Sequence, residues 1–156
     1  MRRLFTIIFL SFSMFIFWGC TASKEAANEK QTLKFTIIIG SGGGFTGTYQ
    51  GKMIDTTGYI YDWEGRTFST STKKIVDSLS QNPIIKLNKY FSENNFTDYT
   101  LKEVGNITTF LTLSTLNDQT TFSWKESLIP DHMPTKIKEL YYLINDTINN
   151  TKKEQK

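Results

Sequence analysis

A glycine-rich run, Gly-Ser-Gly-Gly-Gly-Phe-Thr-Gly at positions 40–47, constrains the fold more than any other part of the chain. It follows an apolar segment, 33–39, whose β-branched and aromatic residues are typical of a buried strand. Threonine and aromatic residues follow the run, so the pattern predicts a β-hairpin with the glycines at its connection. Four glycines within positions 40–44 exceed what a tight turn needs, and each one loses conformational freedom on folding.

Two interpretations of the surplus glycines stay open at this point. Either another backbone or a binding partner approaches the run closely, where side chains would clash, or the run is a long mobile hairpin tip. For the case in which a partner approaches, we define a candidate partner-binding loop. It comprises Ser41, Gly42, Gly43, Gly44, Phe45, Thr46 and Gly47.

The N-terminal segment has the pattern of a bacterial lipoprotein signal. Arg2 and Arg3 precede an apolar run over 4–18, which is too short to span a bilayer and matches a signal h-region. Cys20 is the only cysteine, and it follows Gly19 at the end of this run. We therefore predict a signal peptide over 1–19, cleavage before Cys20 and lipidation of Cys20. A simple secretory signal with an incidental cysteine is the alternative.

Residues 20–32 are predicted to form a lipid anchor and a flexible tether, because they are small, polar and charged. Thr21 after the cysteine favours delivery to the outer membrane, by analogy with sorting systems in which Asp at that position retains lipoproteins in the inner membrane. Cleavage would remove Arg2 and Arg3 and lower the formal charge from +3 to +1. No basic patch then favours nucleic acid, and the expected membrane partner is the lipid bilayer.

The segment 33–148 is long enough for one domain with a single core. We predict a third strand at 59–63, a helix after Ser69–Thr72 with apolar residues at 75, 76 and 79, a helix over 84–91, a hairpin over 106–125 and a helix over 137–148. The expected fold is α+β, with an antiparallel sheet of four to five strands and two to three helices packed on one face. The polar residues 149–156 are predicted to be a disordered tail.

The third predicted strand is rich in aromatic residues. Tyr59, Tyr61 and Trp63 are secondary candidates for partner contact, because aromatic side chains on one strand can line a surface groove. The alternative is that they form half-buried cross-strand pairs.

Signals for catalysis are weak. The spacing Gly42-x-Gly44-x-x-Gly47 fits a dinucleotide-binding pattern, but a predicted strand, not a helix, follows it. His132 is the only histidine, and the chain has no nucleophile-elbow motif. One histidine and one cysteine are too few for a typical zinc site. We therefore expect no enzyme activity, cofactor or metal, with a small hydrolase as a minor alternative.

The order of elements along the chain resembles that of the emfourin family. These elements are the strand at 35–39, the loop 41–47, the segment ending at 87–91, the hairpin over 108–124 and the closing helix after Pro134. Emfourins are small bacterial proteins named for inhibiting thermolysin-type (M4) metalloproteases. The resemblance implies an inhibitor of a secreted or envelope metalloprotease. Since the loop carries no histidine or carboxylate, it would block the protease cleft sterically. The expected function is thus an envelope lipoprotein with a protein-binding or structural role, and the alternative is emfourin-like inhibition.

Overall fold

The computed structural model describes residues 31–67, 70–126 and 128–154, with side chains described as far as Thr151. The predicted signal peptide, Cys20 and the tether up to residue 30 lie outside the described residues. None of the helices in the described part of the chain is long and apolar enough to cross a membrane.

The described chain forms one antiparallel sheet of six strands and two α-helices. In chain order the elements are β1 (Thr36–Gly43), β2 (Thr48–Ile54), β3 (Tyr59–Gly65), β4 (Thr72–Ser78), α1 (Gln81–Glu93), β5 (Ile107–Ser114), β6 (Gln119–Lys125) and α2 (Thr135–Glu154). The strand order across the sheet is β4-β3-β2-β1-β5-β6, so β1 lies in the centre beside β2 and β5. The predicted α+β class and antiparallel sheet are confirmed.

Both helices pack on one face of the sheet, which we call the helix-covered face. Ile37 and Ile39 of β1 point into the main core on this face, whereas Ile38 points to the opposite, open face. Because side chains alternate along each strand and neighbouring strands pair in register, every strand has one set of side chains on the helix-covered face and another on the open face. The helices contribute fully buried side chains to the same core, namely Ile84, Leu87, Ile137, Leu140 and Ile144.

The segment that precedes β1 is attached to α1. The Gln31 N–H donates to the side-chain carbonyl of Gln81 at 2.8 Å. The side-chain amide of Asn88 donates to the Thr32 carbonyl at 2.8 Å, and Leu33 is buried in the core. Gln31 and Thr32 therefore both contact α1.

The predicted hairpin over 106–125 is confirmed as β5 and β6. Phe122 and Trp124 on the apolar face of β6 are fully buried. The Trp124 ring lies perpendicular to that of Tyr141 in α2, with 5.2 Å between the ring centroids, so this pair connects the sheet to the helix.

The segment predicted as a helix after Ser69–Thr72 is instead the edge strand β4, and this prediction was wrong. Its apolar residues at 75, 76 and 79 matched a helical period over a short window. Thr72, Ile75 and Val76 are β-branched, however, and Thr72 and Ile75 pair with Glu64 and Tyr61 of β3 in an extended conformation. Leu79 is buried beyond the end of the strand. The extra strand raises the sheet to six strands, above the four to five predicted, and leaves two α-helices.

The helix α2 continues beyond residue 148. Residues 149–154, which we predicted to belong to a disordered tail because they are polar, are helical. Ile144, Thr147, Ile148 and Thr151 are all buried and share one helical face. The Thr151 hydroxyl donates to the Ile148 carbonyl at 2.8 Å, which satisfies its hydrogen-bonding capacity inside the helix. The buried face therefore extends through residues that look polar by composition.

Candidate functional site

The predicted hairpin joins β1 to β2, but only four residues form its connection. Ser41, Gly42 and Gly43 lie within β1, and Gly43 pairs with Thr48 of β2. Gly44–Thr46 forms one turn of 3₁₀ helix, and Gly47 follows in the left-handed conformation. The hairpin tip is therefore short, and about half of the candidate partner-binding loop belongs to the sheet.

Close packing within the chain itself explains three of the glycines, Gly40, Gly42 and Gly43. A Cβ atom on Gly40 would lie 2.6 Å from Cζ2 of Trp63 and 3.1 Å from Cζ of Phe110. Gly43 has a φ of +104°, and a Cβ there would lie 2.9 Å from the Asn106 carbonyl oxygen. The same carbonyl accepts a hydrogen bond from the Gly44 N–H. The structure thus contains the close approach of another backbone that the glycine run suggested. At Gly43 that backbone is the segment before β5, and at Gly42 it is β2, where a Cβ would lie 2.2 Å from the Thr48 carbonyl oxygen.

Large apolar side chains are exposed at this end of the sheet. Phe45, at the apex of the hairpin, is fully exposed (110% relative to a free side chain). Ile107 pairs with Gly43 across β1 and β5 and is also exposed, as are Val104 and Leu128 in the segments flanking β5 and β6. We call Phe45, Val104, Ile107 and Leu128 the tip surface. Apolar residues exposed together often mark a contact site, and sequence reasoning identified only Phe45 among these four.

The secondary candidates Tyr59, Tyr61 and Trp63 lie on β3. Trp63 is only 3% exposed and packs beside Phe110 on the open face, with 5.8 Å between the ring centroids. The Tyr61 hydroxyl donates to the Asp55 carboxylate at 2.9 Å, and this hydrogen bond raises the pKa of Tyr61. Tyr59 is exposed. Trp63 is therefore buried, Tyr61 is partly buried, and only Tyr59 of the three is an exposed ring.

A polar cleft of about 650 Å³ lies on the helix-covered face at the end nearest the hairpin tip. Along β1, this face changes from the apolar Ile37 and Ile39 to the polar Ser41. Side chains from five strands and α2 line the cleft, among them Ser41, Gln50, Lys52, Asp62, Glu64, Thr72, Lys74, Thr109 and Tyr141.

The electrostatics of the polar cleft are mixed. Lys52 forms an ion pair with Asp62 across β2 and β3. Tyr141 contributes a ring from α2, and burial raises the pKa of its hydroxyl. Ser41 and Glu64 also line a smaller groove that reaches the hairpin tip, so the two surfaces adjoin.

The described residues contain no group of three or more His, Cys, Asp or Glu side chains that could hold a metal ion. The Nε2 atom of His132 lies 2.8 Å from the Glu103 carboxylate on the surface. The geometry therefore pairs the only histidine with a carboxylate of a neighbouring loop. Cys20, the predicted lipidation site, lies outside the described residues.

Comparison with protein-family models and with curated proteins finds no match for this chain.

Proposed function

We propose that this protein is a lipid-anchored component of the bacterial envelope, in the outer membrane, that binds another protein through the tip surface. The observation that carries the proposal is the full exposure of Phe45 at the hairpin apex. A phenylalanine side chain gains roughly 1.5–3 kcal/mol when it is removed from water. A partner that covers Phe45 together with Ile107 would recover this free energy, which the folded chain alone leaves unused.

Hydrogen bonds hold the hairpin tip in one conformation before any partner binds. The Gly44 N–H donates to Asn106, and the Gly47 N–H donates back to the Gly44 carbonyl at 3.4 Å. The Thr48 N–H donates to the Thr46 hydroxyl at 3.3 Å. A contact residue on a pre-ordered segment loses less conformational entropy on binding, and buried aromatic residues supply much of the energy of protein interfaces.

Lipidation of Cys20 would keep the tip surface near the membrane. Ten residues separate Cys20 from Gln31, the first described residue, which contacts α1. A fully extended chain of this length reaches at most about 40 Å. The proposed partner is therefore a protein of the same membrane or one that comes within reach of the domain at the end of this tether.

We expect Cys20→Ser to abolish lipid attachment, because the thiol that receives the lipid is lost. The wild-type protein should fractionate with membranes, and the variant should appear as unprocessed precursor or in the soluble fraction. Ser23→Ala, in the tether, serves as the control and should fractionate like wild type. Normal processing and unchanged membrane fractionation of Cys20→Ser would contradict the lipid anchor.

Site-specific photo-crosslinking tests the tip surface directly. A photoreactive amino acid at position 45 should give an adduct of defined mass with an envelope protein in living cells. Leu116 is the matched control, since it is also fully exposed (102%) but lies at the opposite end of the sheet, in the β5–β6 turn. Equal adducts from both positions, or none from position 45, would contradict binding through the tip.

The alternative candidate is emfourin-like inhibition of a metalloprotease. One observation favours it: Gly44 and Gly47 flank the hairpin apex without side chains, so Phe45 is the one large side chain there. A narrow tip of this kind can enter a cleft that a broader loop cannot. Inhibition would then result from insertion of Phe45 into an apolar subsite and not from contact with the zinc ion.

An inhibition assay distinguishes this candidate from the first. If the tip inhibits, the purified chain in detergent should inhibit a thermolysin-like protease at micromolar concentration. Phe45→Ser should then raise the inhibition constant about 30-fold, the effect of losing about 2 kcal/mol at an interface hot spot. Leu116→Ser should leave the constant unchanged. Failure of the wild-type chain to inhibit several such proteases would exclude this candidate and leave the first one standing.

A further inference from the structure

A row of polar side chains crosses five strands on the floor of the polar cleft. Each member lies directly opposite the next in the strand registers. From β5 through β1, β2 and β3 to β4, the members are Thr109, Ser41, Gln50, Glu64 and Thr72, and all five line the cleft. We call these five residues the polar row. It covers four strand spacings of about 4.8 Å each, or about 19 Å.

The centre of the polar row has hydrogen-bonding groups that the chain does not use. The threonines at its two ends donate their hydroxyls to the carbonyls of Glu126 and Glu64, at 2.6 Å and 3.2 Å. Among the described residues, by contrast, no hydrogen bond or ion pair engages the side chains of Ser41, Gln50 and Glu64. A hydroxyl, an amide and a carboxylate together offer both donors and acceptors to a ligand.

We propose that the polar cleft binds a neutral oligosaccharide along the polar row. Sugar hydroxyls both donate and accept hydrogen bonds, so they can pair with the Ser41 hydroxyl, the Gln50 amide and the Glu64 carboxylate at the same time. The length of the row lets successive sugar units make such contacts. The cleft is distinct from the tip surface, so the inference does not depend on the function proposed for Phe45.

Tyr141 adds an aromatic wall at the β5 end of the polar row. Its half-buried ring lines the cleft and packs perpendicular to that of Trp124, which lies opposite Thr109. The face of an aromatic ring carries partial negative charge, which attracts the partially positive C–H groups of a sugar ring. Because Trp124 is fully buried, it holds the Tyr141 ring in place before a ligand binds.

The charges of the cleft disfavour an ionic ligand. On the helix-covered face, two lysines, Lys52 and Lys74, balance two carboxylates, Asp62 and Glu64. Lys52 and Asp62 already form an ion pair with each other. Glu64 would repel an anion and Lys74 would repel a cation. Lys73 alternates to the open face and is not part of this balance. The cleft therefore favours an uncharged ligand.

Apolar and peptide ligands fit the cleft less well than a sugar does. An apolar ligand would bury the polar groups of Ser41 and Gln50 without replacing their hydrogen bonds to water, which costs free energy. An extended peptide binds mainly through main-chain hydrogen bonds to a sheet edge. The floor of the cleft is a sheet face, whose backbone groups pair between the strands. Hydroxyl groups are thus the chemistry that this floor recognises best.

Titration of the full chain with neutral tetrasaccharides tests the proposal. The protein is kept in a detergent without a sugar head group, and the probes are cellotetraose, maltotetraose, laminaritetraose and mannotetraose. At millimolar concentration, at least one of them should change the amide chemical shifts of Ser41, Gln50 and Glu64. Because the ligand is uncharged, its dissociation constant should stay within about twofold as salt rises from about 50 to about 500 mM. Tetragalacturonate, which is anionic, should bind more weakly.

Two glutamine variants locate the binding site. Gln50→Ala should raise the dissociation constant of the bound tetrasaccharide about tenfold, the effect of losing roughly one or two hydrogen bonds. Gln119→Ala is the matched control, since Gln119 is also an exposed strand residue but lies in β6 at the opposite end of the sheet. It should leave the dissociation constant unchanged. Both side chains are exposed, so both variants should keep the amide shift dispersion of the wild type.

The proposal would be overturned if none of the four tetrasaccharides shifts the amides of the polar row. Tighter binding of tetragalacturonate than of the neutral probes would also overturn it, since the ligand class would then be anionic. Equal effects of Gln50→Ala and Gln119→Ala, or shift changes confined to the tip surface, would place the binding site outside the polar cleft.

Discussion

The contact between the Asn106 carbonyl and the Gly43–Gly44 backbone determines the geometry of the hairpin end of this sheet. It joins the β1–β2 connection to the start of β5, two segments far apart in the sequence. A Cβ atom on Gly43 would lie 2.9 Å from this carbonyl oxygen, closer than Cβ atoms come to other atoms in proteins. Because the contact fixes the connection, Phe45 projects from the same end of the sheet as Ile107. The proposed binding surface therefore depends on an interaction between two backbone segments.

The rest of the sheet follows from the central position of β1. On its helix-covered face, Ile37 and Ile39 join the core, and the following Ser41 begins the polar cleft. On its open face, Gly40 lies beneath Trp63 and Phe110, whose rings occupy the space that its missing side chain leaves. Glycine thus serves two purposes in one strand, close backbone approach at the tip and aromatic packing in the middle. At the β6 edge, residues 101–103 add backbone hydrogen bonds to Ser123.

The sequence predicted those elements whose pattern is local. Alternation identified the β5–β6 hairpin with Phe122 and Trp124 inside, and a helical stripe identified α2. It did not identify β4, because three apolar residues over a short window fit a helix as well as a strand. It did not identify Ile107 as a neighbour of the hairpin tip, because the β1–β5 pairing that brings it there has no local signal. The excess of glycine indicated a close approach, but only the fold shows that the approaching backbone is the chain's own.

Comparison of two alanine substitutions by denaturant unfolding tests the central claim most directly. Gly43 and Gly47 both have positive φ, but only at Gly43 would a Cβ meet another backbone atom, since nothing lies within 4 Å of a Cβ at Gly47. Gly47→Ala should cost about 1–2 kcal/mol for the left-handed conformation alone. Gly43→Ala should cost at least about 3 kcal/mol, because its φ of 104° and ψ of −134° lie outside the left-handed region and the clash with the Asn106 carbonyl is added to that strain. Equal losses for the two variants would contradict the account, since the Asn106 contact would then contribute nothing to the hairpin tip.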